Sequence, residues 1–547
     1  RERFLEQGWP VAELSFDPDM VARGLVIDTQ LGNVVKANRF GLVRRARDLP
    51  GGLGRLWREG TVFTRAYQDH GYTETGPGHS VILTGRHPSH TGIAENTWRN
   101  RATGASTYCV RDDASPLVEG RGAGAGPALL TGTTLGEWLQ ASLEGSRSFA
   151  VTGKDRAAVL LAGRRAQGVF WFAPGTGFTT SRAYAPAIPH WLGTWNAAFR
   201  SRLAQGPLVW ESTPGFPVRP PETWTVAGRT AAFGLPRTLR AADGPQDTPF
   251  WDRFRASPFY DEAILGAATA LLAGERLGQG PGTDLLALSL SATDYIGHQF
   301  GTTGPEMEDQ LLRLDANLGA FLDRVEAAAP GAWVALTADH GARDFPERLA
   351  ARGVPAQRLQ ADAWLAVFNR ELQRRLGGDR PWFLPRFGHQ LYLDPAALAK
   401  GGRSREEVLR EAAKLAKETP EVAEAFTADE LLNEKPAPDQ APQKRSLRAR
   451  VALSFVPSRS GDLLLVFRPQ YMVHEPGSLT EHGTPHDHDR RVALVLRGPW
   501  RPAVRTDPVR VVDLAPTLAR ELGVAPLEPV DGRAIELPGK ARDVLIR

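Results

Sequence analysis

The sequence predicts an α/β fold: a doubly wound, mostly parallel central sheet flanked by helices, with capping insertions. Three observations predict it. Short apolar runs ending in an acid recur along the chain. Helical patterns separate them. Each acid falls just past the end of its run, at the sheet edge where open α/β folds bind ligands.

The elements follow in chain order. Residues 24–27 (GLVI) read as a buried parallel strand that ends on Asp28. Residues 285–290 (LLALSL) play the same part ahead of Asp294, and residues 333–336 (WVAL) ahead of Asp339. Residues 306–329 carry apolar positions at three- and four-residue spacing, which predicts a helix between those two strands. Residues 492–496 (VALVL) predict a further central strand. The α/β core therefore comes in three parts, 20–165, 261–365 and 471–547. Residues 166–260, rich in Trp, Pro and Gly, read as a capping insertion whose aromatic residues serve packing. Residues 366–470 read as a second, small α/β insertion, with strands at 390–393 and 462–467, a charged helix at 405–417 and a Pro-rich break at 434–443.

Composition excludes several classes. With 547 residues the chain exceeds the ~250–300 at which one core stops growing, so more than one module is predicted. Hydrophobic residues make up 42% and charged residues 23%, an ordinary globular balance. The net charge of +4 includes no basic block, so nothing calls for nucleic acid or a membrane surface. Cys109 is the single cysteine, which excludes an intrachain disulfide and a multi-cysteine zinc site. The longest apolar run, 263–273, is too short to span a bilayer. The sequence begins at Arg1, so no leader is visible to judge.

Four motifs carry chemistry: Thr75-Gly76-Pro77-Gly78-His79, Asp294-x3-His298, Asp339-His340-Gly341 and Glu481-His482-Gly483-Thr484-Pro485. Pro77 suits a first helical turn with Thr75 or Gly76 near the N-cap, where free N–H groups and the helix dipole favour an anion. Asp294 and His298 share one helix face. Asp339 and His340 are adjacent, so both point one way only past a strand end, with Gly341 permitting the turn. His482 lies in a Gly/Pro loop. Sorted by chemistry, one ion takes Asp294, His298 and His482; another takes Asp28, Asp339, His340 and the Thr75 oxygen. Mixed carboxylate and imidazole ligation suits two Zn²⁺, with Mn²⁺, Co²⁺ or Fe as alternatives. His486 and His488 read as loop or supporting residues, and His70, His79, His87 and His90 as structural.

A further signal is the pair Lys154 and Arg156, in a chain with eight lysines. Lys154 follows the apolar strand 148–151, and residues two apart in an extended chain share a face. A cationic pair favours a phosphate-monoester dianion over a diester; a solvated surface pair is the alternative.

These motifs resemble the alkaline phosphatase superfamily, and most closely its phosphate-irrepressible, threonine-nucleophile bacterial branch, related to the nucleotide pyrophosphatase/phosphodiesterases. The segments that carry the resemblance are TETGPGHSVILTGRHPSHTGI (73–93), TYCVRDD (107–113), GKDRAAVLLAG (153–163), SATDYIGHQFG (291–301), TADHG (337–341), RSGDLLLVF (459–467) and EHGTP (481–485). The resemblance implies an alkaline-phosphatase-like fold and hydrolysis of small phosphate monoesters. It implies Thr75 as nucleophile, passing through a phospho-threonine. It implies Asp28, Asp294, His298, Asp339, His340 and His482 as the ligands of two zinc ions. It gives Asn96, Lys154 and Arg156 contacts to phosphoryl oxygens. It also implies a monomer, periplasmic or secreted. The neighbours of Asp28 and Asn96 depart from the family pattern. The rival reading is a phosphodiesterase or nucleotide pyrophosphatase with the same metals. A sulfatase would need Cys or Ser at position 75, a phosphomutase would use serine, and a zinc-binding scaffold would need none of the basic pair.

Overall fold

The computed structural model describes residues 49–216, 219–240 and 247–539. Asp28 and the predicted strand before it lie outside the described residues. The first described elements are helix α1 (Gly52–Glu59) and strand β1 (Thr61–Tyr67), then α2 (Thr75–Thr84), which starts at the threonine of the first motif. A two-stranded ribbon follows, β2 (Thr97–Arg99) against β3 (Ser106–Tyr108). Next come β4 (Arg147–Thr152), α3 (Asp155–Ala162) and β5 (Gly168–Ala173), one strand–helix–strand crossover between parallel neighbours. Further on, α4 (Pro258–Gly274) leads to β6 (Asp284–Ser289), α5 (Ala292–Phe300), α6 (Pro305–Ala328) and β7 (Val334–Thr337). The last strands among the described residues are β8 (Arg491–Arg497), β9 (Ala503–Arg505) and β10 (Val509–Arg510), and the helix Leu514–Leu522 follows them.

Two sheets are built from these strands. In one the order is β7-β8-β1-β9, with β10 also paired to β1. In the other, β6, β4 and β5 run parallel, and a short antiparallel strand at Gly177–Thr179 closes its edge. The predicted strand at 492–496 is present as β8 and is buried, but it runs antiparallel to both β1 and β7.

Alternation along each strand builds two cores, one on either face. Val62, Phe149, Val151, Phe170, Phe172 and Val495 face one cluster together with residues of α1, α4 and α6. Phe63, Ala150, Val169, Trp171, Leu494 and Leu496 face the other, with residues of α2 and α3. Helices on both faces of alternating strands are the doubly wound arrangement the sequence predicts.

The expected insertions are partly redrawn. β5 lies inside the span read as beginning an insertion at 166, yet it is a wholly buried strand of the core. The tryptophans of that span are packing groups, as expected: Trp191, Trp195, Trp210 and Trp251 join the first core, and Trp195 stacks on Phe199 at 5.1 Å. The second expected insertion has its own core between helices Ala361–Leu376 and Arg405–Glu418 and a three-stranded antiparallel sheet.

Candidate active site

The site forms where α2, α3 and α5 begin and where two loops, 338–341 and 480–485, meet them. Thr75 is the first residue of α2, after an extended Glu74 at the N-cap. It is 1% exposed. The helix can approach the Asp339 loop because residue 78 is glycine; a Cβ there would lie 2.3 Å from the Asp339 carbonyl oxygen. His79, one turn after Thr75, ties the two segments. Its Nδ1 meets the Thr75 carbonyl at 2.9 Å and Asp339 Oδ2 at 3.2 Å, and its Nε2 meets Ser289 Oγ at 3.0 Å.

Two cations converge on the hydroxyl. Lys154 Nζ lies 3.5 Å and Arg156 Nη2 3.4 Å from Thr75 Oγ1. The route differs from the expected extended chain: β4 ends at Thr152, Lys154 is the N-cap of α3, and Arg156 lies in its first turn. Both side chains still reach the same oxygen, because the turn aims them there. Arg156 Nη1 also donates to Tyr108 Oη at 3.1 Å, and Tyr108 in turn donates to Asp155 Oδ1 at 2.6 Å. Lys154 pairs with Asp294 Oδ2 and stands 4.9 Å from the ring centre of Tyr295. Asn96 joins from the loop before β2, where its amide oxygen accepts the Gly76 N–H at 2.7 Å.

The carboxylates and imidazoles converge too. Asp294 and His298 sit one turn apart on α5, with His298 Nε2 3.2 Å from Asp294 Oδ1. His482 Nε2 lies 3.8 Å from the same oxygen. One ligand atom from each of Asp294, His298 and His482 falls within 4.8 Å of the others, close enough to hold one metal ion. His340 stacks on His482 with ring centres 3.5 Å apart, and its Nε2 is 3.4 Å from Asp339 Oδ2. The third motif's glycine works differently from expectation. Gly341 has no left-handed backbone; a Cβ there would lie 2.5 Å from the His488 carbonyl oxygen, so close packing, not the turn, demands glycine.

Each candidate histidine is held by its Nδ1, leaving Nε2 toward the carboxylates. His298 Nδ1 meets the Thr480 carbonyl at 2.6 Å, His482 Nδ1 the Thr73 carbonyl at 2.9 Å, and His340 Nδ1 the Gly341 carbonyl at 3.0 Å. A carbonyl on one ring nitrogen fixes the tautomer and offers the other lone pair, the usual support for a metal-bound imidazole. Burial lowers the basicity of His482, helped by neighbouring His340, and burial lowers that of His340. At Asp294 burial works upward, but Lys154, His298 and His482 hold the carboxyl well below its usual range. At Asp339, likewise, His340 and His79 outweigh burial and keep it ionised. His298 is opposite: against burial, Asp294 and Glu481 lift it to about 9, so a bound cation must displace its proton. The donor set thus fits hard-to-borderline cations.

Nine of the ten sequence-predicted residues therefore meet: Thr75, Asn96, Lys154, Arg156, Asp294, His298, Asp339, His340 and His482. The tenth, Asp28, lies outside the described residues. His87 and His90 bind Asp531 as structural groups, and His486 Nε2 meets the Phe467 carbonyl at 2.7 Å. Tyr108, Tyr295 and Glu74 were missed. All three stand inside the quoted segments, but their partners lie in other segments.

The sequence model of "Type I phosphodiesterase / nucleotide pyrophosphatase" matches residues 34–489. The chain is 36% identical over 502 residues to alkaline phosphatase PhoK of Sphingomonas sp, covering 89% of this chain and 87% of that protein. It is 32% identical over 495 residues to alkaline phosphatase PhoD of Zymomonas mobilis, covering 88% and 83%. The crystal structure of alkaline phosphatase PafA superposes with a TM-score of 0.80 at 26% identity, over 94% of this chain and 98% of that one.

Proposed function

The chain belongs to the type I phosphodiesterase/nucleotide pyrophosphatase family, on the side of its alkaline phosphatase relatives, and we propose that it hydrolyses phosphate monoesters through a phospho-threonine at Thr75. The observation that carries the reading is the Thr75 hydroxyl at a helix N-terminus with Lys154 and Arg156 within 3.5 Å.

Asp294, His298 and His482 would hold one Zn²⁺, and Asp339, His340, Thr75 and Asp28 a second; Mn²⁺, Co²⁺ or Fe could replace zinc. Bound there, two such ions supply the stabilisation of an alkoxide and of the leaving oxygen that threonine lacks. The chain's own groups do the rest. Thr75 Oγ1 gives up its proton and attacks phosphorus in line; the ester oxygen departs with the bonding pair and takes a proton. Water then attacks the phospho-threonine, releasing phosphate and restoring the hydroxyl. Lys154 and Arg156 offer N–H donors to the equatorial oxygens, where charge sits in a loose transition state, and Asn96 offers its amide. The N-terminus of α2 adds the positive end of the helix dipole.

The family also includes diester hydrolysis by name. The basic pair favours the monoester, since a dianion gains more from two cations than a monoanion does. The family resemblance further supports a monomer working in the periplasm or outside the cell. Among the described residues no helix is long and apolar enough to cross a membrane. The test is turnover of p-nitrophenyl phosphate against bis(p-nitrophenyl) phosphate by wild type and Thr75→Ala. We expect a dominant monoester rate that the substitution removes. A dominant diester rate, or an alanine variant as active as wild type, would defeat the reading.

A further inference from the structure

We infer that Glu74 positions Asn96 and the first turn of α2 for phosphoryl binding, a role that rests on the monoesterase reading above. Glu74 is the N-cap of α2, next to the nucleophile, yet its side chain makes no cap bond within its own helix. Its Oε2 instead accepts the backbone N–H of Asn96 at 2.6 Å. The Asn96 side chain answers in the other direction: its Oδ1 accepts the N–H of Gly76 at 2.7 Å. Glu74, Gly76 and Asn96 thus form a two-bond clamp between the start of α2 and the loop before β2. It resembles a capping box whose second half comes from another segment.

The clamp fixes the face that Asn96 shows the substrate. A backbone N–H can only donate, so the amide atom bonded to Gly76 is the oxygen. The Asn96 NH₂ group is therefore the end left for an acceptor. An acceptor beside Thr75 is what a phosphoryl oxygen supplies. The backbone of Asn96 is held on its other side as well, since its carbonyl accepts the Cys109 N–H at 2.9 Å. Without the Glu74 carboxylate, one of these anchors is lost and the half-buried Asn96 can swing out of register. Glu74 itself touches no reacting atom; it acts through Asn96, and only through Asn96 on the helix end.

The test is a double-mutant cycle on the metal-loaded enzyme: wild type, Glu74→Ala, Glu74→Gln, Asn96→Ala and the Glu74→Ala/Asn96→Ala pair. The readouts are kcat and KM on p-nitrophenyl phosphate, with metal content and melting temperature alongside. We expect Glu74→Ala to lower kcat/KM on the order of 100-fold, the scale for a misplaced catalytic contact. Glu74→Gln keeps most activity, because its amide oxygen still accepts from Asn96. In the Asn96→Ala background the Glu74 substitution changes kcat/KM no more than about 2-fold, as coupled residues do. Should the alanine variant fail to fold, Glu74→Asp, one methylene short of Asn96, takes its place with the same expectation. Equal losses in both backgrounds, or glutamine as poor as alanine, overturn the role of Glu74 alone. A wild type inactive on the monoester overturns the functional reading and this inference with it.

Discussion

Replacing Lys154 by alanine should change which ester the enzyme prefers, and the size of the change follows from its position. Lys154 Nζ lies 3.5 Å from Thr75 Oγ1, the atom that would meet phosphorus, and the residue is 6% exposed. Phosphoryl oxygens bound to that hydroxyl would sit roughly 4 Å from the ammonium, where two unit charges interact by about 4 kcal/mol at an effective dielectric of 20. A monoester dianion carries one more charge than a diester monoanion, so the lysine discriminates between them by that interaction. Its ammonium is shared with the Asp294 carboxylate, which takes part of the field. Allowing half for that leaves about 2 kcal/mol, or about 30-fold in relative rate. Lys154→Ala should therefore lower kcat/KM for p-nitrophenyl phosphate about 30-fold more than for bis(p-nitrophenyl) phosphate. The assay compares both esters on the same metal-loaded preparations, with metal content measured so that an effect through Asp294 is visible. An equal loss on both esters, with metal retained, would refute the electrostatic argument.

Three other substitutions test the frame around the site. Tyr108→Phe removes the hydroxyl between Arg156 and Asp155, and should raise KM and lower kcat/KM by roughly 10-fold at unchanged melting temperature, about the worth of one charge-assisted hydrogen bond; unchanged kinetics would show that the guanidinium needs no such support. Asp315→Ala should cost about 2–3 kcal/mol in urea unfolding, because its carboxylate accepts three N–H groups at the start of α1, from Gly51 at 2.6 Å, Leu53 at 2.8 Å and Gly54 at 3.1 Å; an unmoved midpoint would deny the cap. His87 predicts a pH dependence. Burial works against its charge, but Asp69 and Asp531 lift it to about 9 from an ordinary 6.5. A raised folded value means the stabilisation is full below pH 6.5 and is lost as pH rises through 9. The stability gap between wild type and His87→Gln should then shrink by up to about 3 kcal/mol from pH 6 to pH 10; a constant gap would show that His87 is neutral in the fold.

Much of the site was legible because its residues sit at positions the backbone pattern dictates. The apolar runs before Asp294 and Asp339 end within one residue of the ends of β6 and β7, and the four-residue spacing of Asp294 and His298 is one turn of α5. Strand direction was not legible: the wholly apolar run of β8 reads the same whichever way it pairs, and it pairs antiparallel. Nor was the boundary at 166, since the aromatic run of β5 resembles the tryptophan-rich stretch that follows it. The shared face that an extended chain would give Lys154 and Arg156 is not how they meet, because the chain turns into α3 between them. Glu74, Tyr108 and the bond from His79 to Asp339 depend on contacts between distant segments. Single-sequence spacing carries no trace of such contacts.

The central claim is that Thr75 stands within reach of two metal ions seated by these remote carboxylates and imidazoles. Anomalous diffraction from crystals of the zinc-loaded enzyme tests it most directly. The account predicts two peaks roughly 4 Å apart, one about 2 Å from ligand atoms of Asp294, His298 and His482, the other as close to Asp339, His340 and Thr75 Oγ1. Peaks elsewhere, or none within bonding distance of that hydroxyl, would contradict it.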